Sequence, residues 1–438
     1  MSHVLKAAAG PVGRRTSSPE VTDTVAAVIA DVRRLGDDAV RRHSEFFDRW
    51  SPTSFRLSPD EVRAVVAGVP DTVLDDLRFA QTQVRRFAEA QLASLREFET
   101  ETLPGVFLGQ RHLPVHASGA YVPGGRYPLT ASAHMTVLTA KVAGVARVAA
   151  TTPPSEGAPP PVSVAAMHLA GADEIYVLGG VQAVAALALG TETVDPVHLL
   201  TGPGNAYVAE AKRQLYGEVG IDLFAGPTET LVVADASADP FTIAVDLLSQ
   251  AEHGPDSPCV LITTSESVGR AVLRHVEALL PGLPTAAVAA PAWRDHGQVH
   301  LVDDLTEAYR LADTFASEHV QILTEDPRRA LTEMHDYGAL FLGEQTCVPY
   351  GDKVIGTNHV LPTLGAARYS GGLWVGKFLK TVTYQEVRDP ASSAALGEAC
   401  ARLSRLEHFE GHARSGDLRA ARHGNATLPW DPCASTRL

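Results

Sequence analysis

Gln250 and His253 lie three residues apart in DLLSQAEHG, where an amphipathic helix ends. Residues at that spacing share a helix face, so a side-chain carbonyl and an imidazole can converge on one metal ion. The apolar positions Ile243, Ala244, Leu247, Leu248 and Ala251 form the buried stripe, with Gln250 and His253 at its edge, directed into a cleft. The plainer alternative is a polar helix terminus, with His253 on the last carbonyls and Gln250 solvated. Glu318 and His319 stand at the entrance of HVQILTE, which reads as a strand. Adjacent strand residues face opposite ways, so one of the two is expected in solvent. If both line a cleft, a neutral imidazole can take a proton from an alcohol while the carboxylate activates a water. Asp352 and His359 in YGDKVIGTNHVLPT, and Glu407 and His412 near the C-terminus, add polar groups in loops and helix ends.

No GxGxxG fingerprint announces a dinucleotide. Glycine-rich turns stand in its place: YVPGG (121–125), TGPGNAYV (201–208) and GGVQAV (179–184) each lead toward a helical pattern. Such turns let backbone N–H groups approach a polyphosphate, although most Gly-Pro-Gly segments are only turns.

The elements that must position these groups fall into four segments. Residues 1–110 read as a helical arm or cap, with apolar residues three and four apart in TVAAVIADVRRLG, DEVRAVVAGV and TVLDDLRFAQTQVRRFAEAQLASLREF. From 111 to 225, RVAATTPP, EIYVLGG and the helical VQAVAALALG form a βα series, with PPSEGAPPP as a surface loop. A second series occupies 226–380: TLVVAD, PCVLITTS, QVHLVDD, HVQILTED and ALFLGE alternate with helices. Two such series predict two doubly wound, Rossmann-like α/β domains with mostly parallel sheets, ligands at the carboxyl ends of the strands and an active site between the domains. Residues 381–438 read as a helical tail whose stripe of Leu396, Ala399, Cys400, Leu403 and Leu406 has no core of its own, so it is expected to pack on a second subunit.

At 438 residues the chain is too long for one hydrophobic core. A formal net charge of −14 argues against a large nucleic-acid-binding surface. No apolar run is long enough for a membrane span or a signal peptide. Four widely separated cysteines without a CxxC pair suggest neither a disulfide framework nor a thiolate zinc site and fit a reducing cytoplasm.

The strings YVPGG, GPGN, AGPTE, DLLSQAEHGPDS, SEH, GD…GTNHVLPT and E…GHA, collinear over nearly the whole chain, resemble the histidinol dehydrogenase family. The resemblance implies zinc held by Gln250, His253, Asp352 and His412, with Glu318 and His319 as the catalytic pair. It implies NAD contacts at Tyr121, Gln182 and Asn205. The implied substrate site joins Thr228, His359 and Glu407 to Gln250, His253, His319, Asp352 and His412; Thr228 replaces the family's usual serine and keeps the hydroxyl. It further implies a homodimer in which the tail crosses to complete the partner's zinc site. The reaction expected is oxidation of a small polar alcohol to a carboxylate through an aldehyde, in two hydride transfers. GGRYPLTASAHMTVLTAKVAGV, GAARYSGGLWVGKFLKT and FEGHARSGDLR are similar to the sulfopropanediol dehydrogenase-like branch, so sulfopropanediol is the first substrate expected and histidinol the alternative. Arg126, Arg368 and Lys377 could neutralise a sulfonate, or be ordinary surface charge. A non-catalytic nucleotide-binding homologue is the remote alternative, set against by competent side chains at every matched position.

Overall fold

The computed structural model describes residues 3–9, 18–124, 128–224, 226–424, 428 and 430. The chain forms two compact units, Met1–Leu92 with Pro114–Phe378, and Ala93–Leu113 with Leu379–Leu438.

The first unit contains two sheets. One runs Glu174–Val177, Arg147–Thr152, Ala117–Tyr121, Leu199–Thr201, Gly220–Ile221 in space, all neighbours parallel. The other runs His3–Lys6, Gly297–Leu301, Cys259–Thr263, Thr230–Ala234, His319–Leu323, Ala339–Leu342, parallel except at the His3–Lys6 edge. In both parallel sets the first strand in sequence is central, the next two lie to one side and the last two to the other, which is the doubly wound order.

Strands covered on both faces are mostly apolar, and Thr230–Ala234, Cys259–Thr263 and His319–Leu323 are buried at every residue. Their alternating side chains feed two cores. Val232, Ala234 and Leu261 pack with Ile243 and Leu247 of helix Pro240–Ala251. Leu231, Val233, Ile262, Val320 and Ile322 pack with Ala308 and Ala312 of helix Leu305–Phe315. The N-terminal helices belong to this unit: Val25, Val28, Ile29 and Val32 of helix Pro19–Leu35 join Val184, Leu187, Val208 and Leu215 in the core of the first sheet.

Three strands fall where the sequence reads as helical arm: His3–Lys6, Phe98–Leu103 and Val106–Pro114. His3–Lys6 is too short to carry a period of its own and forms because the Gly297–Leu301 edge offers it a ladder.

The second unit has a sheet ordered Leu379–Val387, Val106–Pro114, Phe98–Leu103 and the helices Pro390–Leu406 and Glu410–Gly424. These helices meet through small residues: a Cβ on Gly397 or Gly416 would strike the other's backbone oxygen at 2.5 Å. The larger apolar stripe is on the outside, with Leu403 62% and Leu406 77% exposed. Close approach of the two backbones selects the small-residue face. Among the described residues no helix is long and apolar enough to cross a membrane, and Cys259, Cys347 and Cys400 are unpaired.

Candidate active site

Thr230 is level with both Cys259 and His319 in the ladder of the second sheet. The residues just before these strands, Thr228, Ser257 and Glu318, therefore share its amino edge and line one cleft of about 470 Å³. The same cleft takes Pro123 and Gly124, after strand Ala117–Tyr121, and Pro203, Gly204 and Asn205, after strand Leu199–Thr201. The cleft thus lies at the carboxyl edge of the first sheet and at the amino edge of the second, where the sequence reading expects carboxyl ends for both. At the second sheet's carboxyl edge two of the helix N-termini are closed by side chains: Asp239 accepts from Phe241 and Thr242 N–H, and Asp304 from Glu307 N–H.

The expectation that either Glu318 or His319 faces solvent is also corrected: they are 7% and 2% exposed. Alternation governs residues within a strand, and Glu318 precedes its first residue, His319. The Glu229 main chain organises both. Its N–H donates to Glu318 Oε2 at 3.1 Å, and its carbonyl accepts from the His319 N–H at 3.1 Å. His319 Nδ1 lies 3.3 Å from the same carbonyl and 3.5 Å from Glu318 Oε2; two acceptors there assign the ring proton to Nδ1. Nε2 is buried without a hydrogen-bond partner, 3.7 Å from Asp352 Oδ1. Burial pushes the Glu318 carboxyl up to about 8, against the pull of His319. Burial disfavours the His319 cation, but the neighbouring Glu318 and Asp352 outweigh it and raise the ring above its ordinary value.

Gln250 lies in the last turn of helix Pro240–Ala251, 1% exposed, and its Oε1 is buried with no partner. His253 opens onto the cleft yet stands deep among protein atoms, which lowers its pKa, with Asp352 working the other way. Burial would raise Asp352, but contact with His319 and the charges of His319, His359 and His253 hold it down at about 2. An orphaned amide oxygen, an imidazole kept neutral and an ionised carboxylate are the donor chemistry a Zn²⁺ site needs, so these residues fit the metal. Among the described residues no three His, Cys, Asp or Glu side chains gather to hold a metal. The expected set has only three such side chains, and His412 belongs to the second unit.

His359 is fixed at both ring nitrogens, with Nδ1 2.9 Å from the Asp352 carbonyl and Nε2 3.3 Å from Ser132 Oγ. Thr228 and His359 both line the cleft. Asn205 lines it too, and its Oδ1 caps helix Ala206–Leu215 by accepting from Tyr207 and Val208 N–H. Tyr121 and Gln182 lie beneath the first sheet's carboxyl edge: Tyr121 Oη accepts from Gly180 N–H at 3.1 Å, and Gln182 Nε2 donates to Asp48 at 3.1 Å. Neither lines the cleft. Glu407 and His412 are exposed in the second unit. Arg368 and Lys377 are outside the cleft lining, and Arg368 donates to the carbonyls of Thr314 and Gly365. Arg126 lies outside the described residues.

Sequence reasoning missed Glu229 and Ser132. Glu229 sits inside AGPTE, but the signal of its role is a long-range contact and leaves no local pattern.

The histidinol dehydrogenase family model matches residues 13–420. The chain belongs to the histidinol dehydrogenase family. It is 55% identical to a histidinol dehydrogenase homologue of Shouchella clausii, over 97% of this chain and all of that one. Identity is 46% to a sulfopropanediol 3-dehydrogenase of Ruegeria pomeroyi, over 93% and 94% of the two chains. It is 44% to a histidinol dehydrogenase of the same organism, over 93% and 94%. The crystal structure of the Elizabethkingia anophelis histidinol dehydrogenase superposes with a TM-score of 0.88 at 32% identity, over 95% of each chain. Membership makes this chain one of a dehydrogenase family with the two-sheet α/β fold described above.

Proposed function

We propose that the chain is a zinc- and NAD-dependent dehydrogenase that oxidises a small polar primary alcohol to a carboxylate through a bound aldehyde. The observation that carries this reading is the unpartnered, buried His319 Nε2 beside Asp352, with the ring proton held on Nδ1 by Glu229. Gln250, His253 and Asp352, with His412 from a second copy, would hold the zinc. When bound, zinc polarises the substrate oxygen and NAD accepts hydride. His319 takes the alcohol proton at Nε2, and the Glu229 carbonyl stabilises the imidazolium that results. Glu318 then takes a proton from the water that adds to the aldehyde, giving the hydrate from which the second hydride leaves. Tyr121, Gln182 and Asn205 are assigned to the cofactor, and Thr228, His359 and Glu407, with the four zinc ligands and His319, to the substrate.

Two substrates follow from different observations. Resemblance to the 46% identical relative puts (R)-2,3-dihydroxypropane-1-sulfonate first, with Arg126 as the cation between the lining residues Gly124 and Leu129 in sequence. The described lining carries Asp256 and Glu318 and no lysine or arginine, which favours the amine of L-histidinol as the second reading. The test is NADH formation by zinc-loaded protein with each alcohol in turn. Turnover of the sulfonate that collapses in Arg126→Ala supports the first substrate; turnover of histidinol alone replaces it with the second; no NADH from either overturns both.

A further inference from the structure

Thr201–Asn205 walls the cleft through Pro203, Gly204 and Asn205. Behind that wall Gly202 has φ +113°, and a Cβ there would run into the Tyr121 carbonyl oxygen. Only glycine accepts this conformation, and glycine by itself leaves it loose. The structure supplies the missing restraint from both sides. Gly202 N–H donates to Asp222 Oδ2 at 2.7 Å, and Lys212 Nζ donates to Gly202 O at 2.9 Å. Lys212 comes from helix Ala206–Leu215 and Asp222 follows strand Gly220–Ile221, and their charges are paired. Both are buried, at 4% and 3% exposure, and Asp222 accepts a further hydrogen bond from Leu223 N–H at 2.7 Å.

A buried ion pair adds no stability that a well-packed apolar pair of the same volume would not match. An apolar pair, however, could not offer one acceptor and one donor to the two peptide units flanking the same Cα. The pair fixes both torsions of Gly202, and with them the direction in which Pro203, Gly204 and Asn205 meet the cleft.

We propose that the buried Lys212–Asp222 pair is a positioning device for the nucleotide, holding turn 201–205 in the shape that receives it and so setting nucleotide affinity without touching the reacting atoms. This rests on the reading that NAD binds at that turn. It is tested by calorimetric titration of NAD into the full-length wild type, Lys212→Met and Lys212→Met/Asp222→Asn, with thermal midpoints and the alcohol KM at saturating NAD recorded beside it. In Lys212→Met the NAD affinity falls by about tenfold or more, the effect of one hydrogen bond from a charged donor, while the alcohol KM stays within about twofold. The double variant leaves no uncompensated buried charge, so its thermal midpoint recovers while its NAD affinity stays low, because Gly202 O has still lost its donor. If Lys212→Met does not fold, the double variant carries the test. Wild-type NAD affinity in a variant with a lowered midpoint would make the pair a purely structural one and overturn the proposal. A wild type that binds no NAD overturns the cofactor reading and this inference with it, whereas wild-type binding matched by both variants overturns this inference alone.

Discussion

The sheet centred on Ala117–Tyr121 and the sheet centred on Thr230–Ala234 share one strand order, yet the cleft takes the carboxyl edge of the first and the amino edge of the second. Both carboxyl edges carry a mixture of capped and uncapped helix N-termini. After the second sheet's strands, Asp239, Ser265 and Asp304 cap the helices beginning at Pro240, Glu266 and Leu305, while the short helices Pro327–Arg329 and Val348–Lys353 start with no side-chain cap. After the first sheet's strands, helices Pro161–Ala170 and Gly180–Leu189 start with no side-chain cap, Gly180 N–H donating to Tyr121 Oη, and Asn205 caps helix Ala206–Leu215, which follows the cleft turn. Strand order alone therefore does not choose the working edge. At the second sheet's amino edge the useful feature is the Glu229 peptide, which serves Glu318 and His319 together.

The sharpest break of this comparison is all-or-none. If the amino-edge site needs His412 from a second copy, His253→Ala and His412→Ala homodimers should each lack zinc and activity, and mixing them should restore activity on subunit exchange. A verified heterodimer that stays inactive would place His412 outside the partner's site, and wild-type zinc content in His253→Ala would remove that ligand.

Glu318→Gln should slow oxidation of the aldehyde by roughly two orders of magnitude, with a smaller effect on the alcohol step, since its assigned task is the water. Pre-steady-state NADH formation from alcohol and from aldehyde separates the steps; equal slowing would contradict the division of labour.

A smaller effect concerns stability. Burial pushes the Glu229 carboxyl up to about 7, although its Oε1 accepts from Leu364 N–H at 2.8 Å. An acid raised on folding costs nothing while it is protonated in both states, below its unfolded pKa, and costs progressively more as pH rises toward the folded value. Glu229→Gln keeps an acceptor for Leu364 and should gain about 2–3 kcal/mol near pH 8, fading to about zero near pH 4. Denaturant unfolding at both pH values checks this, and a gain independent of pH would assign the effect to packing.

Much of this division was legible in the chain. Gln250, His253, Glu318, His319 and Asp352 sit in local strings whose residue types suggest a chemistry, and the parallel strands read as short, mostly apolar runs with turns at their ends. What escaped depends on partners distant in sequence. Glu229 acts on Glu318 across 89 positions, and Ser132 meets His359 across 227. The working edge of the second sheet escaped because caps such as Asp239 and Asp304 look the same whether or not an edge is meant for a ligand. In the tail, the period located the helix but could not tell the small-residue face that packs from the leucine face that remains exposed.

The division of labour between the two edges is tested most directly by measuring NAD affinity and turnover together in zinc-loaded His319→Ala. NAD binding should stay within about twofold of wild type, because the ring belongs to the other sheet, while turnover falls by roughly two to four orders of magnitude through loss of the base at Nε2. Turnover near wild type, or NAD affinity that falls along with it, would contradict the account.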